Sequence, residues 1–99
     1  MPLEIHKRSR AREDLLEIWL YSHDTRSANQ ADRYLDRLDE GISRLSENPF
    51  LGSDAGTIRR GYRKLTVERH LVFYTVTEER IEIVRVLHAQ MDAVSQLDE

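Results

Sequence analysis

The chain has 99 residues, with 15 basic and 18 acidic side chains and a formal charge of −3; this is enough for one domain with a modest core and too little for two. It contains no cysteine, which excludes a disulfide framework and a thiolate metal site, and no apolar run nears the ~18 residues that a membrane span requires. The acidic balance argues against a protein that coats nucleic acid, so direct nucleic-acid binding is not expected.

From the N-terminus, Leu3 and Ile5 alternate with Glu4 and His6, which predicts a short strand. The opening Met1-Pro2-Leu3-Glu4-Ile5-His6 has no charged stretch followed by an apolar one, so no secretory signal is expected. With the lack of cysteine, this makes the cytoplasm the expected location. A helix opens near Ser9, with Ala11, Leu15, Ile18, Trp19 and Ser22 at helical spacing and Asp14 and Glu17 on the other face; it ends near His23-Asp24-Thr25.

Ser27 and Gln30 form a capping box for a second helix. Its apolar stripe is Ala31, Tyr34, Leu35, Leu38, Ile42 and Leu45, and Asn48-Pro49 stops it. Two helices with a brief polar break predict an antiparallel hairpin. Residues 49–58 read as a loop. Three strand-like runs follow, Tyr62 to Val67, Leu71 to Val76 and Ile81 to Leu87, joined by short polar turns as an antiparallel meander. Ala89 to Leu97 predicts a short helix. The expected class is α+β in the order β-α-α-β-β-β with a short C-terminal helix, the hairpin covering one face of the sheet because neither layer buries its own apolar side.

Chemistry-bearing motifs are few. His6, His23, His70 and His88 are scattered and form no metal-ligand spacing. The loop Gly52-Ser53-Asp54-Ala55-Gly56-Thr57 lacks the Gly-Lys-Ser/Thr ending of a phosphate cradle. Neither a metal nor a cofactor is expected. Positive charge is nevertheless concentrated: residues 1–58 hold 8 basic and 11 acidic side chains, whereas Arg59, Arg60, Arg63, Lys64 and Arg69 face only Glu68 in their neighbourhood. Arg63 and Lys64 point to opposite faces of a strand. The cluster reads either as solvation of an edge strand or as a patch for an acidic partner. Lys7, Arg8, Arg10 and Arg12 form a second run at the start of the first helix, where positive charge is unfavourable.

The pattern as a whole resembles the ParE branch of the RelE/ParE toxin superfamily. The residues that carry it are Asp14-Leu15-Leu16-Glu17-Ile18-Trp19 with Tyr21, Asn48-Pro49-Phe50-Leu51-Gly52, Ile58-Arg59-Arg60-Gly61-Tyr62-Arg63, His70-Leu71-Val72-Phe73-Tyr74, and Ile83 through Asp92. They span nearly the whole chain in family order. The resemblance implies a helical hairpin on a small antiparallel sheet. It further implies a type II toxin that poisons DNA gyrase by stabilising the cleaved gyrase–DNA complex, with no bond made or broken by the toxin. Its implied partner is an antitoxin, usually a ribbon–helix–helix dimer whose C-terminal arm wraps the toxin.

On that reading antitoxin binding falls on the groove of the hairpin and the adjoining sheet edge, with Leu16, Trp19, Tyr34 and Leu38 as candidate contacts; the same residues also read as core. Candidate target contacts are Arg59, Arg60, Arg63, His88 and Met91, within the basic cluster and the segment from His88 to Leu97. The competing resemblance is to the RelE-like branch, which cuts messenger RNA on the ribosome and needs groups that move protons and stabilise phosphate charge. Lys64 and His88 are its candidate catalytic residues here. Leu71 stands where related nucleases carry an arginine before their Leu-Val-Tyr run, and Ala89 stands where an aromatic would follow the histidine. A third reading is a non-toxic relative that only binds antitoxin.

Overall fold

The computed structural model describes residues 2–91 and 93–97; Met1, Asp92 (the last residue of the C-terminal motif), Asp98 and Glu99 lie outside the described residues. Strand β1 (Glu4–Lys7) leads into helix α1 (Ser9–Thr25), and Arg26-Ser27 turns the chain into α2 (Ala28–Glu47). Strands β2 (Ser53–Asp54), β3 (Arg63–Val67), β4 (His70–Val76) and β5 (Arg80–His88) follow, and α3 (Ala93–Leu97) closes the chain. The Ser27 hydroxyl accepts the Gln30 amide at 3.1 Å, the N-cap expected from the sequence. The two-residue strand β2 lies inside the segment expected to be plain loop.

The sheet order is β1-β5-β4-β3-β2. The meander β2 to β5 is antiparallel, but β1 lies parallel to β5, Glu4 opposite Arg80 through Lys7 opposite Ile83. The sheet is therefore mixed, where the sequence and the resemblance suggested an antiparallel one. Local alternation gives a strand its faces but not its partner, and the long crossover through α1 and α2 delivers the meander so that its last strand reaches β1. Three of the four residues in the basic run at this junction face carboxylates. Lys7 Nζ lies 3.1 Å from Asp39, Arg8 Nε 2.8 Å from Glu82 and Arg10 Nε 3.5 Å from Glu13.

The hairpin covers one face of the sheet. Ala11 and Leu15 of α1 and Leu38, Ile42 and Leu45 of α2 pack on Val72, Tyr74, Ile81, Ile83 and Val86. A smaller cluster on the other face joins Ala55, Phe73, Leu87 and Leu97. Between Ile83 and Arg85 the ladder slips: Tyr74 pairs with Ile83 but Phe73 with Arg85, so Val84 is the additional residue of a β-bulge. The bulge changes the parity of β5. Ile81 and Ile83 face the helices, and beyond the bulge so does Val86, while Leu87 turns to the second cluster.

The segment after α2 is held by two side chains of the sheet. The buried Tyr74 hydroxyl donates to the Pro49 carbonyl at 2.9 Å and accepts the Gly52 amide at 3.0 Å. Gly52 is required by close approach, since a Cβ there would come within 2.4 Å of the Lys64 carbonyl oxygen. Arg63 donates from Nη2 to the Gly52 carbonyl at 2.5 Å and lies over the Phe50 ring at 4.9 Å from its centroid.

Candidate functional site

Two concave surfaces flank α1. The larger has a volume of about 690 Å³ and opens between the hairpin and the turn joining β3 to β4. Ile18, Tyr21, Ser22 and Thr25 of α1 form one wall, and Gln30, Arg33, Tyr34 and Arg37 of α2 the other. Both sets follow the i, i+3, i+4, i+7 spacing that aligns side chains along one helical face. Arg26 after α1, Glu68 and Arg69 of the β3–β4 turn, and His70 and His88 of the sheet complete the cavity.

Its inner surface is a hydrogen-bonded polar chain. The Arg69 amide donates to the Tyr34 hydroxyl at 3.1 Å, so the phenolic proton is free to donate to His70 Nδ1, 2.7 Å away. His70 is then neutral with its proton on Nε2. The His88 ring lies edge-on to His70 with centroids 5.3 Å apart, and His88 Nδ1 accepts the Gln90 amide at 3.1 Å. Desolvation lowers the His70 pKa to about 4, and the neighbouring His88 adds to this while Asp14 opposes it. Burial is also the main reason the Tyr34 hydroxyl titrates above the usual phenol range.

His70 binds its proton more weakly in the folded chain than in the unfolded one, where its ordinary value is 6.5. The unfolded chain therefore holds more protons between about pH 4 and 6.5, and the His70 contribution is complete above that window and lost as pH falls through it. Its full extent is on the order of 3 kcal/mol. In urea denaturation from pH 7 to 4, His70→Gln is expected to flatten this part of the stability profile. Parallel profiles for the two proteins would refute the assignment.

The second concavity, about 440 Å³, runs along the other side of α1, where Leu16, Met91 and Gln96 surround the pair Asp14–Arg85. Asp14 belongs to α1 but is only 7% exposed, contrary to its expected place on the polar face. Its carboxylate accepts Arg85 Nε at 2.8 Å and Nη2 at 2.9 Å in a bidentate pair, and also the Val86 amide at 2.9 Å. Strand β1 has ended by this point, so Asp14 supplies to the edge of β5 an acceptor that a neighbouring strand would otherwise provide. Arg85 Nη1 donates to the Gln96 carbonyl at 2.9 Å, tying α3 to the same pair.

The candidate residues read from the sequence divide between core, scaffold and surface. Leu38 is 0% exposed within the main cluster; it is a core residue and cannot touch a partner of the folded domain. Leu16 is 59% exposed, with Leu20 also exposed one turn on. Trp19 is half-buried; its indole donates to Asp32 at 2.9 Å across the hairpin and stacks on His23. Tyr34 belongs to the larger cavity.

Arg59 donates to the Leu97 carbonyl at 3.1 Å, Arg63 clamps the segment after α2, and only Arg60 of these three is left to solvent. Met91 lines the second concavity and His88 the first. The five target-contact candidates thus do not form one surface. Nor do Lys64 and His88 form a catalytic pair. Lys64 pairs with Phe73 of the second cluster, whereas His88 pairs with His70 on the hairpin face, so the sheet lies between them. Among the described residues no three His, Asp or Glu side chains gather as a metal would require, and no helix is long and apolar enough to cross a membrane.

Sequence reasoning missed Arg33, Arg37 and Arg69 as neighbours. The spacing of Gln30, Arg33, Tyr34 and Arg37 was visible as a helical face, but nothing local places the β3–β4 turn against it.

A two-helix hairpin on a small mixed sheet, with a concavity on either side of α1, defines a small α+β domain. The chain belongs to the ParE toxin family: the family model described as the ParE toxin of the type II toxin–antitoxin system parDE matches residues 5–93. It is 45% identical over 83 residues to Toxin ParE1 of Mycobacterium tuberculosis, covering 83% of this chain and 85% of that one. It is 40% identical over 88 residues to Toxin ParE1 of Caulobacter vibrioides, covering 89% and 91%. The fold is similar to that in the chromosomal ParDE toxin–antitoxin system of P. aeruginosa, with a TM-score of 0.80 at 19% identity over 89% of this chain and 97% of that one.

Proposed function

We propose that this toxin acts by binding DNA gyrase and stabilising the cleaved gyrase–DNA complex, and that a cognate antitoxin of the ribbon–helix–helix type neutralises it. The observation that carries a binding mode over RNA cleavage is the placement of Lys64 and His88 on opposite faces of the sheet. A cleaving site needs its proton-transfer and charge-stabilising groups within hydrogen-bond reach of one phosphate. Membership of the ParE family supports the same reading. The exposed apolar side chains Leu16 and Leu20 on α1, with Met91 lining the same concavity as Leu16, form the surface that an antitoxin arm would cover.

The test is a plasmid assay with purified gyrase, scoring linear DNA after detergent and protease. Linear plasmid is expected to accumulate with the toxin, and Arg60→Glu, which alters a solvent-facing charge without a structural partner, is expected to weaken the effect about tenfold. Growth arrest in cells without linear DNA or impaired supercoiling in the assay would overturn the reading. Ribosome-bound messenger RNA would then be the substrate to examine, with Lys64→Ala and His88→Ala assayed separately. No growth effect at all would favour the non-toxic relative.

A further inference from the structure

We propose that the larger cavity is a binding trough for an acidic peptide segment, with Arg26, Arg33 and Arg69 as its carboxylate-binding residues. The protein carries a net charge of −3, yet this cavity gathers four arginines against one acid, Glu68. Glu68 is already paired with Arg37 at 3.0 Å. The side chains of Arg26, Arg33 and Arg69 engage no carboxylate among the described residues. Three unneutralised guanidiniums around one concavity repel one another, and an acidic occupant relieves that cost while using their paired donors.

The shape selects an extended chain. Each wall is one helical face from i to i+7, a length of roughly 10 Å, which matches about three residues of extended polypeptide. The inner surface adds uncharged donors. His70 and His88 each have Nδ1 engaged by a neighbour, which leaves Nε2–H as the remaining donor of each neutral ring. Tyr21, exposed at 72% on the rim, offers packing surface for the occupant's stems. Carboxylates are favoured over nucleic-acid phosphate because a long polyanion would also meet the acidic remainder of the molecule, whereas a short acidic segment meets only the trough.

The identity of the peptide's owner as the antitoxin rests on the function proposed above; capture of an acidic peptide by the trough does not. The probe is a fluorescein-labelled octa-glutamate peptide, followed by anisotropy at low and at physiological salt. Octa-glutamine and octathymidylate are run in parallel. Binding of octa-glutamate alone is expected, weakened by salt and at least tenfold by Arg33→Glu combined with Arg69→Glu. Lys64→Glu, on the opposite face, is expected to leave it unchanged. Imidazole NMR signals of His70 and His88 are expected to move on peptide addition, a readout that a misfolded variant cannot mimic. Binding of octathymidylate in place of the peptide would overturn the proposal in favour of phosphate. Absence of peptide binding, or binding lost with Lys64→Glu but not with the double reversal, would overturn it as well. None of these outcomes depends on gyrase, so failure here and failure of the gyrase assay are separate results.

Discussion

Asp14→Ala is expected to destabilise the domain by about 3–5 kcal/mol, the usual cost of removing one partner of a buried ion pair. The loss is threefold in kind. Arg85 loses the bidentate carboxylate that its buried guanidinium faces, the Val86 amide at the uncovered edge of β5 loses its acceptor, and the contact between α1 and β5 loses its polar lock. Arg85 would retain only the Gln96 carbonyl among these partners. Urea denaturation followed by circular dichroism measures the change. A loss below about 1 kcal/mol would mean that water reaches Arg85 and that the pair is effectively a surface one. The double replacement Asp14→Leu with Arg85→Met is expected to recover much of the stability, because both charges are then gone and apolar volume fills the site. Such recovery would assign the single-variant loss to the stranded charge.

Leu38→Ala is expected to cost about 2–5 kcal/mol, the range for deleting a buried leucine side chain with only partial relaxation around the cavity. The position was a candidate antitoxin contact on the strength of its place in the α2 stripe, and the structure makes it core. The contrast with Leu16→Asp separates the two roles. Leu16 is exposed and packs in neither apolar cluster, so Leu16→Asp is expected to change stability by no more than about 0.5 kcal/mol. It is also expected to weaken antitoxin binding by at least tenfold, measured by titration calorimetry on folded protein. Antitoxin affinity unchanged by Leu16→Asp would remove this face of α1 from the interface.

Much of the scaffold was legible locally. Helix α2 is specified by consecutive features that agree with one another: the Ser27 cap, the stripe from Ala31 to Leu45 and the Asn48-Pro49 stop. Strands β4 and β5 are marked by runs of β-branched and aromatic residues, and their pairing needs only a short turn. The motif residues of the resemblance also proved structural where they were sharpest. Asp14 and Arg85 come from the two ends of the chain and lock together, and Tyr74 ties down the Pro49 and Gly52 backbone.

The candidate site was less legible because it depends on distances that sequence spacing does not measure. A polar residue in a helix reads as solvent-facing until a guanidinium from a distant strand meets it, as Arg85 meets Asp14. A histidine reads as ionisable near neutrality until burial and a second ring displace its pKa, as at His70.

The sequence by itself determined the α+β class, the helical hairpin, the meander and the resemblance to the ParE toxins, since the elements rest on propensity and periodicity within a few turns of chain and the resemblance on the order of motifs along it. The tertiary structure alone decided the parallel pairing of β1 with β5, the grouping of Arg26, Arg33 and Arg69 around one trough, and the faces taken by Lys64 and His88. The last of these turns on one residue. Simple alternation from Ile81 and Ile83 would carry His88 to the face that Lys64 occupies, but the bulge at Val84 shifts the parity of β5 and sends His88 to the hairpin side. Side-chain direction along a strand has a period of two, so one additional residue reverses every position beyond it.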